Sequence, residues 1–326
     1  MVFFITFLRA LAACCITNAH YTGIYPTDII ANGGLIGDII FFAVSGYCLY
    51  IIKYDLSVKG FIGWYGKRIL RVYPPVLIMT AVFMLLGAYQ LETDRGLIWW
   101  YIYPTYYHFV ASIIVLYIPF FFIMKISALR NRLIHIMIGI ALLWLALYFT
   151  VYDYSYYHID TVREPIIRFL FMESMILGAW FRQNDKKLRN QYKIVYPILA
   201  LVSFIIYFIS KLLFSNKVCI APFQFLNQVA IFALLYFILR TFCGIDGKLE
   251  KLSPTIKEIV TFISEMTLEI YVVQYVIIDV TRNLKLIFPI NWAILTAWIV
   301  IVAFVLHKVC GRIYLAINLF FSKKKK

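Results

Sequence analysis

Apolar runs of about 20 residues, each bounded by charged or turn-forming positions, recur from one end of the chain to the other. A helix needs roughly that many mostly apolar residues to span the hydrocarbon core of a bilayer. The pattern predicts ten spanning helices, over roughly 3–20, 34–52, 72–89, 107–124, 133–151, 166–181, 194–212, 223–239, 259–281 and 291–310. The third contains Pro74 and Pro75, and the sixth carries Arg168 and Glu173. After the tenth, residues 312–321 read as a short amphipathic tail ending in Lys323, Lys324, Lys325 and Lys326. No repeat, linker, low-complexity stretch or long loop interrupts the series. The expected fold is therefore all-α: one polytopic integral membrane domain over 1–326. The first run lacks a basic segment before Val2 and is interrupted by Arg9, so it reads as a retained helix and not a cleavable signal.

Charge sets the expected orientation, because short cytoplasmic loops are enriched in Lys and Arg. With the N-terminus inside, the inside loops hold Lys53, Lys59, Lys67, Arg68 and Arg71, then Lys125, Arg130 and Arg132. Arg182, Lys186, Lys187, Arg189 and Lys193 follow, then Arg240, Lys248, Lys251 and Lys257. With Lys308, Arg312 and the final four lysines, the inside total is 23. The outside set is seven: Arg95, Arg163, Arg168, Lys211, Lys217, Arg282 and Lys285. That bias predicts ten spans with both termini cytoplasmic, in a cell (inner or plasma) membrane.

Composition agrees. The chain is 63% hydrophobic and 14% charged, where a soluble domain carries about a quarter charged residues. The net charge of +15 is accounted for by the inside loops, and no nucleic-acid motif accompanies it. Six cysteines, Cys14, Cys15, Cys48, Cys219, Cys243 and Cys310, show no CxxC pair or Cys/His metal spacing. They read as small apolar residues, and no metal is expected.

Four short segments carry the polar groups that a membrane helix ordinarily avoids. Arg9 and His20 are 11 residues apart, which places them on one helical face about 16 Å apart along the axis. An intramembrane Arg marks a functional site by default, and a histidine takes and returns a proton near neutral pH. The plainer alternative is an Arg9–Asp38 ion pair with His20 at the aqueous boundary. Next, Gly34 and Gly37 permit close helix approach, and Asp38 and Ser45, seven apart, share a face. Ordinary small-residue packing explains that segment equally well. Then Lys67, Arg68 and Arg71 cluster in the first cytoplasmic loop ahead of Tyr73 and Pro74. They suit either a phosphate-rich ligand or anionic lipid. Finally, Glu265 and Glu269 stack at i, i+4 in the ninth span, followed by Tyr271 and Gln274.

These segments, in this order, resemble the acyltransferase-3 family of integral membrane acyltransferases. Arg9 and His20 resemble its first-helix Arg–ten residues–His pattern. Phe41-Phe42-Ala-Val-Ser45-Gly46-Tyr47 is similar to its FFxxSGY pattern. Arg68-Ile-Leu-Arg71 with Tyr73-Pro74 resembles its RxxR element, and Ser264 to Tyr271 its late-helix pattern. The resemblance implies an acyl-CoA donor, usually acetyl-CoA, supplied from the cytoplasm. It implies a sugar hydroxyl of a surface polysaccharide, or of its lipid-linked precursor, as acceptor. It makes His20 the catalytic base and Arg68 and Arg71 the ligands of CoA phosphates. Beside these, the residues themselves offer Arg9 and Asp38 as further catalytic candidates and Lys67 and Ser45 as further donor-side candidates. Glu265, Glu269 and Tyr271 become candidate substrate contacts. Where many relatives place a His after the late Tyr, this chain has Gln274, which shifts weight to His20. Residues 1–326 show no run expected to form the hydrolase-like domain that is fused to some relatives, so the acceptor is expected to meet the membrane core directly.

Direct transfer is the expected mechanism. His20 takes the acceptor's proton while Asp38, Glu265 or Glu269 orients the imidazole, and the sequence leaves that choice open. A transporter, flippase or polymerase for a lipid-linked glycan is the competing class. Transporters commonly show internal repeats or paired broken helices, which this sequence lacks, and a polymerase would normally offer a larger extracytoplasmic loop. His108, His135, His158 and His307 read as structural, His108 being the most interesting because it opens an apolar span. A homodimer is one assembly this reading admits.

Overall fold

Each apolar run is helical in the computed structural model, the one at 259–281 as two helices, and the structure describes residues 2–89, 96, 101–102, 104, 107–162, 165–281 and 287–323, with side chains to 317 in the last segment. The helices are α1 (Phe3–Ala19), α2 (Gly34–Leu49), α3 (Val58–Leu85), α4 (His108–Lys125), the single turn α5 (Ser127–Arg130), α6 (Leu133–Thr150) and α7 (Ile167–Gln183). The short α8 (Asp185–Leu188), α9 (Val195–Asn216), α10 (Phe225–Gly244) and the short α11 (Asp246–Leu249) follow. The chain ends with α12 (Pro254–Glu265), α13 (Thr267–Thr281) and α14 (Ile290–Lys323). No strand occurs among the described residues. Arg95, Arg163, Arg282, Lys285 and Lys324 to Lys326, counted for orientation above, lie outside them.

Among the described residues six helices are long and apolar enough to cross a membrane: α3, α4, α6, α9, α10 with the 3-10 turn before it, and α14. The pair α12–α13 makes a seventh, bent by 70°. Of the ten expected spans, those at α1, α2 and α7 have only 16 or 17 residues. The chain is a multi-pass, all-α membrane protein.

Side-chain contacts gather the loops at two ends of the bundle. At one end the backbone N–H of Phe4 donates to Asp246 Oδ1 at 2.8 Å, which satisfies a free N–H at the start of α1. Burial pushes the Asp246 carboxyl above the usual carboxylate range, against the pull of that N–H and of Arg189. Tyr47 donates to Asp185, Lys125 to the carbonyl of Ile52, and Gln183 to the carbonyl of Arg130. The four basic loops thus meet at this end. At the other end, Asn291 donates to the carbonyl of Ile24, Lys211 pairs with Asp160 at 2.6 Å, and Tyr148 donates to the carbonyl of Pro222.

The core runs through α1, α2 and α7. A Cβ on Gly37 would lie 2.6 Å from the carbonyl oxygen of Ala12, so α1 and α2 touch backbone to backbone. One on Gly46 would overlap the carbonyl of Met175, and one on Gly178 that of Ala43. Small residues permit this approach in lipid, where burial of apolar surface does not drive helices together. By contrast α6 and α9 turn Leu142, Leu143, Ile206 and Ile209 outward.

Three expectations need correction. The third helix begins at Val58, capped by the Ser57 hydroxyl accepting from the Gly60 N–H at 2.9 Å, and runs through Pro74 and Pro75. Lys67, Arg68 and Arg71 therefore ride on a helix and not in a loop. The ninth span breaks at Met266 (φ −103, ψ 14), so Glu265 and Glu269 are not stacked on one continuous helix. The tail after 310 continues α14 without a break.

Candidate active site

A cavity of about 420 Å³ opens among α1, α2, α3, α4, α13, α14 and the end of α12. Its polar lining includes Arg9, Ser45, Arg68, Arg71, Glu265, Glu269 and His307. Arg9 contributes from α1, where its Nη2 approaches Cys48 Sγ at 3.7 Å. Arg68 and Arg71 come from α3, one turn apart. Arg68 lies over the Trp64 ring at 5.8 Å, and its buried Nε has no hydrogen-bond partner. The break at Met266 turns α12 away while leaving Glu265, Thr267 and Glu269 on the wall. From α14 come His307, Cys310, Gly311 and Tyr314, and His307 Nδ1 stands 3.0 Å from Glu269 Oε1. Three arginines against two carboxylates, Glu265 and Glu269, give this partly enclosed space an excess of positive charge.

A second cavity, about 290 Å³, holds His20, Asp38, Tyr107, His108, Tyr271 and Tyr275. His20 stands at the C-terminal end of α1, edge-on to Tyr275 with 5.8 Å between ring centroids. Asp38 reaches the same space from the first turns of α2 and is 8% exposed.

A neck of only about 10 Å³ lies between the two. Phe41 and Phe109 line both the neck and the basic cavity. Ile16, Phe109 and Tyr271 line both the neck and the histidine cavity. Phe41 and Phe109 meet edge to face at 4.7 Å, Phe109 and Tyr271 at 5.6 Å. The backbone N–H of Phe109 donates to the Tyr271 hydroxyl at 3.3 Å. A basic cavity, a small aromatic-lined neck and a histidine cavity thus adjoin one another, with Phe109 in the wall of all three.

The sequence-predicted residues divide between these spaces. His20 and Asp38 share one; Arg9, Ser45, Arg68, Arg71, Glu265 and Glu269 share the other; Tyr271 stands at the junction. Lys67 lines neither, resting over the Tyr54 ring at 5.2 Å. Among the described ion pairs Arg9 does not meet Asp38; it points to Cys48 instead. Of the three carboxylates left open, only Asp38 shares the cavity of His20. Sequence reasoning took His307 as structural and did not place it in this cavity, whose wall it forms beside Glu269. The readable signal was the i, i+3, i+4, i+7 stripe of His307, Cys310, Gly311 and Tyr314.

Charged and titratable groups thus gather inside a bundle of apolar helices, with Asp38 and Glu269 themselves buried, and such groups in a membrane bundle mark a functional site. The model of the acyltransferase-3 family, described as an acyltransferase domain, matches residues 2–308. The chain belongs to that family and is a membrane acyltransferase. No curated protein and no solved structure matches it.

Proposed function

We propose that the protein transfers an acetyl group from acetyl-CoA to a sugar hydroxyl of a surface polysaccharide or its lipid-linked precursor, in the cell (inner or plasma) membrane. In this reading the chain crosses the membrane ten times with both termini cytoplasmic, so the basic loops and the basic cavity face the acetyl-CoA pool. One observation carries the reading: a cavity lined by Arg9, Arg68 and Arg71 and a cavity holding His20 and Asp38 share walls with one small neck. CoA is too polar to cross a bilayer. Its phosphates rest on Arg68 and Arg71, and only the pantetheine arm and acetyl group pass the Phe41–Phe109 constriction.

His20 accepts the proton of the acceptor hydroxyl as its oxygen bonds to the thioester carbonyl carbon. The tetrahedral intermediate collapses, the C–S bond breaks with its electron pair on sulfur, and the proton passes to sulfur to give CoA thiol. Asp38 is the carboxylate best positioned to orient His20, because Glu265 and Glu269 line the other cavity. Glu269 is engaged by His307.

Two measurements test this together. Purified protein should bind acetyl-CoA. Mass spectrometry of surface glycans from cells with and without the gene should differ by acetyl groups. Absence of acetyl-CoA binding would reject the donor. Binding without a glycan difference would reject the acceptor.

A further inference from the structure

Gln274 on α13 is 1% exposed and lines the neck. Its Oε1 accepts from the Thr17 hydroxyl at 2.6 Å, so its orientation is fixed, and its Nε2 has no hydrogen-bond partner. A buried donor left without a partner is rare in a folded protein and calls for an explanation. This one has two free N–H bonds and lies in the neck, which shares walls with both the basic and the histidine cavities.

The position is informative. Thr17, which holds the amide, is one turn before His20 on α1, about 4.5 Å along the helix axis. Tyr271, one turn before Gln274 on α13, borders both the neck and the histidine cavity. Tyr275, the next residue after Gln274, meets His20. An acyl donor with its phosphates in the basic cavity and its carbonyl carbon within reach of a hydroxyl at His20 must lay its carbonyl group in this neck.

Resting on the proposed function above, we infer that Gln274 is a catalytic residue: its Nε2–H donates to the thioester carbonyl oxygen and stabilises the oxyanion formed when the acceptor oxygen adds to the carbonyl carbon. No proton is transferred by the amide. The carbonyl π electrons move onto oxygen, the hydrogen bond from Nε2 strengthens as charge develops, and the electrons return when the C–S bond breaks. Thr17 is a positioning residue, because its hydroxyl on Oε1 keeps Nε2 turned into the neck. A preorganised donor in a site closed to water is an effective way to stabilise such an anion.

The test uses the full-length protein and acetyl-CoA labelled with ¹³C at the carbonyl. Bound to the wild type, the labelled carbonyl should absorb at a lower infrared frequency than in solution, because a hydrogen bond weakens the C=O bond. Gln274→Met keeps the size of the side chain and removes the donor. It should bind acetyl-CoA as the wild type does, lose the downshift, and reduce glycan acetylation in cells about 10²–10³-fold. Thr17→Val, which leaves the amide in place but frees it to turn, should give a partial loss of both signals, and it decides the matter if Gln274→Met does not fold. An unshifted carbonyl in the wild type would overturn the inference, as would a Gln274→Met or Thr17→Val protein with wild-type shift and acetylation. Failure of the wild type to bind acetyl-CoA at all would instead reject the donor assignment on which the inference rests.

Discussion

His307 Nδ1 lies 3.0 Å from the Glu269 carboxylate, joining α14 to the first turn of α13 in the wall of the basic cavity. Glu269 is 8% exposed, so removing its partner leaves a nearly buried acid alone. His307→Ala should lower the unfolding free energy by about 1–3 kcal/mol. Glu269→Gln should cost less, since a neutral amide can still bond to the imidazole. Denaturant unfolding in detergent checks both, and equal stability of His307→Ala and wild type would show that the pair contributes nothing.

Arg68 and Arg71 face the basic cavity from α3. A charge-assisted phosphate contact contributes about 1.5–3 kcal/mol, roughly ten-fold or more in affinity. Arg68→Ala and Arg71→Ala should each weaken acetyl-CoA binding by that order, and high salt should weaken the wild type. Lys67→Ala should bind normally, because Lys67 rests on Tyr54 away from the cavity. Isothermal titration of the three variants separates the two outcomes.

Gly46 and Gly178 are the points where α2 and α7 cross, and a Cβ at either would overlap a carbonyl of the other helix. Overpacking against side chains costs about 1–3 kcal/mol, and here the obstacle is backbone. Gly46→Val and Gly178→Val should fail to accumulate as monodisperse protein, while Gly139→Val on α6, where nothing lies within 4 Å, should behave as wild type. Size-exclusion profiles of the three decide it.

Much of this was legible in the sequence because a bilayer demands long apolar runs and excludes charge. The run at 133–151 became α6 almost residue for residue. The third helix was misjudged because Pro74 and Pro75 read as a boundary, yet Ser57 caps a helix that starts 14 residues before the expected span and runs through both prolines. The break at Met266 has no glycine or proline to announce it. Arg9 and Asp38 stood out because such residues are costly in lipid, His20 because a histidine shares a helical face with Arg9, and Arg68 and Arg71 because cations cluster there at the membrane edge. Which carboxylate stands by His20 was not legible, since helical spacing orders residues within one helix and says nothing about which helices meet. His307 was hidden for the same reason.

The gathering of the four basic loops at one end of the bundle predicts that Lys186 and Thr27 face opposite sides of the membrane. Single cysteines at these positions, in an otherwise cysteine-free protein, should be labelled by an impermeant reagent from opposite sides: Thr27 in intact cells, Lys186 after permeabilisation. Labelling of both from one side would contradict the ten-crossing arrangement.

The central claim is that His20 is the base. His20→Gln keeps polarity and approximate size but cannot titrate near neutral pH, and it leaves the basic cavity untouched. A base contributes about 10²–10⁴-fold to rate without being needed to hold the donor. The decisive measurement is glycan acetylation in cells carrying His20→Gln at wild-type membrane levels, with acetyl-CoA binding by the purified variant as control. The account predicts acetylation reduced by about two to four orders of magnitude and donor binding unchanged. Acetylation near the wild-type level would contradict it.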